Sequence, residues 1–181
     1  MEMFWKRGVR ATTTRDLERV LGVSQSSLYN AFGSKDEIVR AAMTEYESLA
    51  ETQLLAPLER SASGIPSLTG FFEDLGEWVS DERHRGCLLL NILAEDGGES
   101  DFIRERTASY LDRVRSALTA ALERAAEAGE IAHPGLEAKA ELLLGLALGI
   151  SLSARGGVDA SRVGIMVEAS VAQIAGWSSF G

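Results

Sequence analysis

Residues 12–32 decide the fold, and they read Thr12-Thr-Thr-Arg-Asp-Leu-Glu-Arg-Val-Leu-Gly-Val-Ser-Gln-Ser-Ser-Leu-Tyr-Asn-Ala-Phe32. Leu17 and Leu21 are one helical turn apart, as expected for the apolar face of a short helix. Gly22 has the freedom to adopt the positive φ that ends such a helix. The segment therefore predicts a helix over residues 14–21 that stops at a tight turn.

A second short helix is expected directly after this turn, over residues 25–32. Ser24 has a hydroxyl that can cap it, and Val23 is expected to fill the bend with an apolar side chain. Leu28 and Phe32 are expected to face back onto the leucines of the first helix. Two short helices that cross over one small apolar core form a helix-turn-helix, whose second helix enters the major groove of DNA.

The side chains left facing outward on the second helix are polar, and they are suited to hydrogen-bond base edges or phosphates. They are Gln25, Ser26, Ser27, Tyr29 and Asn30. A dimer would present two such helices about 34–36 Å apart to a pseudo-palindromic site. Double-stranded DNA is therefore the expected partner of this segment.

The chain resembles the TetR family of transcription regulators over nearly its whole length, and most closely near its N-terminus. The residues that carry the resemblance there are Phe4-Trp5-Lys-Arg-Gly8, Ala11-Thr-Thr13, Asp16-Leu17, Leu21-Gly-Val-Ser24, Ser27-Leu-Tyr29, Phe32 and Ser34-Lys35-Asp36. In the C-terminal half, Arg85-Gly-Cys-Leu-Leu-Leu-Asn91 and the stretch from Leu118 to Ile131 resemble the sensing domains of one branch of the family. The resemblance implies an all-α chain with a helix-turn-helix head in residues 1–40 and a ligand-sensing and dimerisation domain in residues 41–181.

The resemblance also implies which residues bind the operator, the DNA site of such a regulator. They are Thr13, Thr14, Ser24, Gln25, Ser26, Ser27, Tyr29, Asn30 and Lys35. Within this set, Tyr29 and Lys35 are expected to bind phosphates. The alternatives are a core aromatic side chain for Tyr29 and a solvated lysine beside a helix cap for Lys35.

Two features depart from the family pattern. Family members have a full helix before the helix-turn-helix, whereas this sequence begins near the end of that helix, which leaves the packing of the head in question. Glu18 occupies a position where alanine is common in the family. Its carboxylate is expected either to face solvent or to pair with Arg15 or Arg19.

Charge is divided unevenly along the chain. The formal net charge is −9, yet residues 1–40 carry seven basic and five acidic residues, while the remainder carries 11 basic and 22 acidic residues. An acidic body with a mildly basic head favours contact with DNA at the head alone. A chance asymmetry is the alternative interpretation.

The sequence shows no feature that predicts export or membrane insertion. The N-terminus lacks an apolar stretch with a cleavage site, and the longest apolar run, Leu142–Leu152, is shorter than the ~20 residues that a membrane helix needs. The single cysteine, Cys87, has no partner for an internal disulfide. A cytoplasmic location is therefore expected.

An enzyme is the main rival class, and the residue pattern disfavours it. His84 and His133 are the only histidines, and together with Cys87 they are too few to bind zinc. The sequence has no glycine-rich phosphate loop and no nucleophile elbow. We therefore expect neither catalysis nor a metal or cofactor. A helical ligand-binding or scaffold protein whose head no longer binds DNA is the second rival.

Apolar spacing and cap residues predict helices through the rest of the chain. They are expected over residues 14–21, 25–32, 35–60, 67–80, 86–95, 101–128, 136–154 and 160–175. Thr13 and Ser34 each start a capping box. Asp101 and Asp159 are expected N-caps of later helices, and Gly129 is expected to end the long helix before it.

The last two helices are expected to form a homodimer, as the resemblance also implies. The run Leu142–Leu152 is apolar nearly all round, and its small residues allow close helix approach. A stripe on the final helix is expected to pair with it across the two-fold axis, and this stripe consists of Val163, Val167, Val171 and Ile174. The alternative is that both helices lie at the centre of a monomer.

A small-molecule effector is expected in a cavity inside the helical body, as the resemblance implies. The candidate contacts are Met43, Tyr46, Phe71, Leu75, Trp78, Asn91 and Tyr110. Each has plain core packing as its alternative role. Because charged residues are scarce there beyond Glu95 and Asp96, the effector is expected to be apolar or weakly polar. Its binding would move the helix after Lys35 and release a repressor from its operator.

Cys87 has two interpretations. It follows Arg83, His84 and Arg85 at the expected start of a helix, where cations and the helix dipole would lower the pKa of the thiol. That would make the chain a repressor that responds to oxidants or electrophiles through this ligand-site cysteine. The alternative is a small buried core residue.

Overall fold

The structure, a computed structural model, describes residues 1–60, 64–81 and 86–180, and every regular element within these ranges is a helix. The helices are α1 (Glu2–Arg7), α2 (Thr14–Leu21), α3 (Gln25–Phe32), α4 (Lys35–Ala50), α5 (Ala56–Arg60), α6 (Gly64–Ser80), α7 (Leu88–Asp96), α8 (Asp101–Glu127), α9 (Leu136–Arg155) and α10 (Ala160–Gly176). A π-helical turn, Glu51–Leu55, joins α4 to α5, and a short 3₁₀ helix, Trp177–Phe180, follows α10. The all-α fold expected from the sequence is confirmed.

Polar caps set the limits of the head helices, as the sequence predicted. The Thr13 hydroxyl accepts from the Asp16 amide, and the Asp16 carboxylate accepts from the Thr13 amide, which completes a capping box. The hydrogen bonds from Thr13 hold the pKa of the Asp16 carboxyl below its usual value. Ser34 caps α4 by accepting from the amide of Glu37. Gly22 ends α2 at a φ of 67°.

The expected caps of the later helices are partly confirmed. Asp159 caps α10 by accepting from the Ser161 amide. The N-cap of α8 is Ser100, one residue before the expected Asp101, because the Ser100 hydroxyl accepts from the backbone of the first turn. Gly129 follows α8 at a φ of 73°, as expected. No helix in the described ranges is long and apolar enough to cross a membrane.

α4, the π-helical turn and α5 form one continuous helical arm that begins in the head and ends in the body. Two arginines of α8 hold this arm in place. Arg106 donates to Glu47 at 2.7 Å. Arg113 donates to Glu51 at 2.6 Å and to Glu59 at 2.8 Å. Any motion of the arm must therefore strain or break these ion pairs.

The centre of the body is α6, which packs against α8, α9 and α10. α6 begins at Gly64, three residues earlier than expected, because Pro66 is tolerated in the first turn of a helix. Gly64 lies so close to α8 that a Cβ atom there would be 2.3 Å from the Cβ atom of Ala125. The close approach of these two helices therefore requires a glycine.

The shared core of the helix-turn-helix is smaller than expected. Leu17 and Leu28 are buried, and each is the only buried residue of its helix. Leu21 is 54% exposed, Phe32 is 39% exposed and Val23 is also exposed. The expectation that these three side chains fill the core was wrong, because two helices of eight residues that cross steeply bury only the residues at their crossing point.

The valine stripe of α10 faces the interior of its own protomer. Val163 and Ile174 are buried, and Val167 packs against α6, where a Cβ atom on Gly76 would be 3.1 Å from it. The expectation that this stripe pairs with a partner protomer was wrong, because α6 already covers it.

Candidate DNA-binding surface and ligand cavity

The outward face of α3 is formed by Ser26, Tyr29 and Asn30, which are spaced by three and one residues and so share one side of the helix. All three are exposed. Within the described ranges, none of their side chains makes a hydrogen bond to another residue. These polar groups are therefore free to bind another molecule.

The other expected DNA-binding residues at the helix-turn-helix make hydrogen bonds within it. The Gln25 side chain donates to the Thr14 hydroxyl at 3.2 Å, across the turn between α2 and α3. The Ser24 and Ser27 hydroxyls are 2.9 Å apart, and Ser24 accepts from the amide of Ser27. Thr13 is engaged in the cap of α2, so within this set the bond between Gln25 and Thr14 is the contact that joins α2 to α3.

Glu18 has a role that the sequence reasoning missed. Its carboxylate accepts from the backbone amide of Gln25 at 3.3 Å, at the first turn of α3. A carboxylate is favourable there because the amides of a helix N-terminus carry partial positive charge. Neither alternative expected for Glu18, a solvent-facing carboxylate or a pair with Arg15 or Arg19, includes this contact, and Arg19 pairs with Asp16 instead, at 2.6 Å.

Lys35 ties the start of α4 to the turn between α1 and α2. Its ammonium donates to the carbonyl oxygen of Val9 at 2.7 Å. An ammonium has three N–H donors, so two remain for another acceptor. This contact fixes the ammonium of Lys35 at the turn between α1 and α2.

A cavity of about 40 Å³ lies inside the body, between the arm, α6, α8 and α9. Six of the expected ligand contacts line it: Tyr46, Phe71, Leu75, Trp78, Cys87 and Tyr110. The remaining walls are Leu54, Leu55, Leu111, Val114, Leu144, Ala147, Leu148 and Ser151, which the sequence reasoning did not select. Met43 and Asn91 are buried but do not line this cavity.

An aromatic cluster links the cavity to the head. The ring of Trp5, on α1, lies 5.0 Å from the ring of Tyr46 and 5.4 Å from that of Trp78. Tyr46 also lies 5.7 Å from Tyr110. Trp5 is fully buried, and its indole N–H donates to the carbonyl oxygen of Gly86 at 3.0 Å. The first helix of the head is therefore anchored in the wall of the cavity.

Cys87 is buried at the N-terminal end of α7, beside Tyr46. Burial raises the pKa of its thiol, and this effect outweighs the hydrogen bond with Tyr46. The expectation of a lowered pKa was therefore wrong. Arg83, His84 and Arg85, on which it depended, lie outside the described residues. The alternative interpretation, a buried core residue, agrees with this environment.

Glu95, at the end of α7, connects the head to the body. Its carboxylate accepts from the backbone amide of Arg10 at 3.0 Å and lies 3.6 Å from the guanidinium of Arg155. Arg155 also donates to the carbonyl oxygen of Trp5 at 3.0 Å. A second cavity, of about 230 Å³, opens beside this junction between α4, α7 and α8. Its walls include acidic, basic and apolar side chains, whereas the described residues that line the smaller cavity are all uncharged.

Removing the Glu95 carboxylate is expected to loosen this junction. We expect Glu95→Ala to lower the free energy of unfolding by roughly 1–3 kcal/mol, because a charged acceptor is lost and the Arg10 amide and Arg155 lose a partner. Urea denaturation followed by circular dichroism measures the change. Glu99→Ala removes an exposed carboxylate from the same region and should change stability by less than about 0.5 kcal/mol. Equal losses in the two variants would contradict the role of Glu95.

The described ranges contain no group of three histidine, cysteine, aspartate or glutamate residues that could hold a metal ion. The geometry is that of a small helix-turn-helix on a helical body with an internal cavity, the arrangement of a one-component transcription regulator. Comparison with known proteins agrees with that class. Residues 1–42 match the family described as bacterial regulatory proteins, tetR family, and residues 64–164 match the tetracyclin repressor-like C-terminal domain.

Individual relatives are similar over much of the chain. The HTH-type transcriptional repressor ComR of Escherichia coli is 26% identical over 170 residues, which is 90% of this chain and 79% of ComR. The repressor KstR2 of Mycolicibacterium smegmatis is 29% identical over 107 residues, 58% of this chain and 52% of KstR2. A TetR-family regulator from Agrobacterium tumefaciens superposes with a TM-score of 0.83 at 22% identity, covering 95% of this chain and 91% of that one.

A further solved structure, a cysteine mutant of the TetR-family regulator CifR with 26-bp operator DNA, superposes with a TM-score of 0.81 at 24% identity. It covers 94% of this chain and 90% of CifR. The chain belongs to the TetR family and is a DNA-binding transcription regulator, not an enzyme.

Proposed function

We propose that the protein is a cytoplasmic repressor that binds a pseudo-palindromic operator as a homodimer and dissociates when a small molecule occupies the body cavity. The observation that carries the proposal is the outward face of α3, where Ser26, Tyr29 and Asn30 have no hydrogen-bond partner within the described ranges. A major groove supplies the donors and acceptors that such side chains need. The relatives ComR and KstR2 are named as repressors, which supports repression of transcription by this protein as well.

The proposed dimer uses the outward faces of α9 and α10. On α9, Leu142, Gly145 and Leu152 are exposed at helical spacing, and Leu152 is 72% exposed. On α10, Ile165 is 62% exposed, and Ala172, two turns later, is exposed as well. Adjacent apolar stripes on two helices are suited to pair with the same stripes of a second copy, which gives a four-helix interface.

The proposed route from the cavity to the DNA is the arm. Tyr46 lines the cavity, and Lys35 begins the same helix in the head. Eleven residues of α-helix span about 17 Å, so a rigid tilt at Tyr46 becomes a displacement of α3. In a dimer, that displacement changes the spacing of the two recognition helices, and by linkage the effector binds the DNA complex more weakly than it binds the free protein.

Operator binding is the first experiment. Fluorescence anisotropy compares the duplex upstream of the protein's own gene with a scrambled duplex across a range of salt concentrations. The repressor is expected to prefer the upstream duplex and to lose affinity steeply as salt rises. Weak binding that is equal for both duplexes would favour the rival, a ligand-binding scaffold with a head that does not bind DNA.

Two substitutions on α3 are expected to separate base readout from phosphate contact. Asn30→Ala should reduce affinity for the upstream duplex by about tenfold, because a side-chain amide forms hydrogen bonds with base edges. Affinity for the scrambled duplex should stay nearly unchanged. Tyr29→Phe should weaken binding to both duplexes to a similar extent, because a tyrosine hydroxyl that contacts a phosphate carries no information about the base sequence. Gln53→Ala changes an exposed amide of the body and should alter neither affinity. The same loss on both duplexes for Asn30→Ala would remove it from the base-reading set.

A further inference from the structure

The walls of the body cavity restrict the chemistry of what can bind there. We propose that its ligand is a small neutral molecule with one apolar ring and one hydrogen-bonding group, which is recognised by the hydroxyls of Tyr46 and Tyr110. This inference rests on the proposed function, because it specifies the effector of the same cavity.

The absence of charge is the first argument. Among the residues that the structure describes, fourteen line the cavity, and none of them is aspartate, glutamate, lysine, arginine or histidine. Burial raises the pKa values of Tyr46, Cys87 and Tyr110, so these side chains stay uncharged near neutral pH. A charged ligand would leave water without meeting a counter-charge, which strongly disfavours it.

The shape of the walls is the second argument. Aromatic rings meet there edge to face: the planes of Trp5 and Tyr46 are 83° apart, and those of Tyr46 and Trp78 are 76° apart. A further ring can join such a cluster by the same geometry. The present volume of about 40 Å³ is enough for water but well below the roughly 150 Å³ of an engineered cavity that binds benzene. Binding of a single ring therefore requires the cavity to widen.

The polar groups are the third argument, because they are gathered at one place. The ring of Tyr46 lies 5.7 Å from that of Tyr110, and both side chains line the cavity together with Cys87. The other walls are mostly leucine, valine, alanine and phenylalanine side chains. A ligand with one donor or acceptor can join this hydroxyl pair. Since Tyr46 belongs to the arm, its hydrogen bond with the ligand acts on the helix that carries the head.

Four probes with the same ring test the inference: benzyl alcohol, toluene, benzoate and benzylammonium. Each is titrated by calorimetry into the full-length protein without DNA. We expect benzyl alcohol to bind, toluene to bind about fivefold more weakly because it makes no hydrogen bond, and the two ions not to bind. Ala147→Leu, which fills the cavity, should abolish binding of both neutral probes.

Tyr110→Phe is expected to remove the preference for benzyl alcohol over toluene while both still bind. Ser116→Ala removes an exposed hydroxyl from the same helix and should leave the fivefold preference intact. Circular dichroism and a melting curve establish that each variant is folded. If Tyr110→Phe is unstable, Tyr46→Phe tests the same hydroxyl pair.

Binding of either ion as tightly as benzyl alcohol would overturn the inference, as would failure of both neutral probes to bind up to their solubility limits. An unchanged preference in both tyrosine variants would overturn the role of the hydroxyl pair. Because these titrations contain no DNA, they stand apart from the operator experiment. Neutral-probe binding together with no operator preference would refute the proposed repressor and leave the ligand class supported.

Discussion

Ile165→Glu is expected to convert the protein from a dimer to a monomer and to reduce operator affinity by about a thousandfold or more. Ile165 is 62% exposed in the single chain, on the outward face of α10. In the proposed interface, each of the two protomers contributes one such glutamate, and both glutamates lie in an apolar contact. A buried carboxylate without a partner costs several kcal/mol, and the neighbouring Glu168 adds like-charge repulsion. A monomer then presents one recognition helix instead of two.

Multi-angle light scattering after size-exclusion chromatography measures the mass of the protein in solution. Fluorescence anisotropy on the upstream duplex measures its affinity for DNA. Val20→Glu is the matched control for the mass, because Val20 is 63% exposed but lies on α2 in the head. That variant should remain dimeric. A dimeric Ile165→Glu protein would show that the copies associate through another surface, and a wild-type monomer would favour the alternative in which α9 and α10 serve only the protomer.

Trp5→Ala is expected to cause the largest loss of stability, about 3–5 kcal/mol of the free energy of unfolding. The indole ring is fully buried against Tyr46 and Trp78, so its removal leaves a cavity. The substitution also leaves the carbonyl oxygen of Gly86 without its donor. Urea denaturation followed by circular dichroism, at one fixed protein concentration because a dimer's stability depends on concentration, measures the loss.

Trp5→Phe separates the two contributions of the indole. It keeps an aromatic ring in the cluster and removes the N–H donor, so a smaller loss of about 1–2 kcal/mol is expected. Trp177→Ala, a half-buried tryptophan beyond α10, should also cost less than Trp5→Ala. If Trp5→Ala were as stable as the wild type, α1 would not be anchored in the body, and the aromatic cluster could not connect the cavity to the head.

Local chemistry made the helices of this fold predictable from the sequence. Three helices are capped by the side chains of Thr13, Ser34 and Asp159, each within three residues of the amide from which it accepts. The signal for each cap is therefore contained in a few neighbouring residues. Gly22 and Gly129 likewise mark helix ends at positive φ. The head motif followed from such patterns, whereas only six of the fourteen described residues that line the cavity were selected from the sequence.

Contacts between distant segments could not be predicted in the same way. Glu95 and Arg10 are 85 positions apart, and Arg155 and Trp5 are 150 positions apart. No local sequence pattern therefore predicts the junction between head and body. The orientation of α10 could not be predicted from the sequence either. Its buried face carries Val163, and its exposed face carries Ile165 among polar residues, so apolar spacing alone does not say which apolar residues pack against α6 and which are left for a partner.

The thin core of the helix-turn-helix has a consequence for how operator affinity is set. α2 and α3 each bury a single apolar side chain, Leu17 and Leu28, so few contacts resist local opening of these helices in the free protein. DNA must hold them in order when it binds, and the conformational entropy lost in doing so is subtracted from the affinity. The proposed effector would then act on the head by changing how much it fluctuates, in addition to where it lies. In such a repressor, the rigidity of the head would itself be regulated.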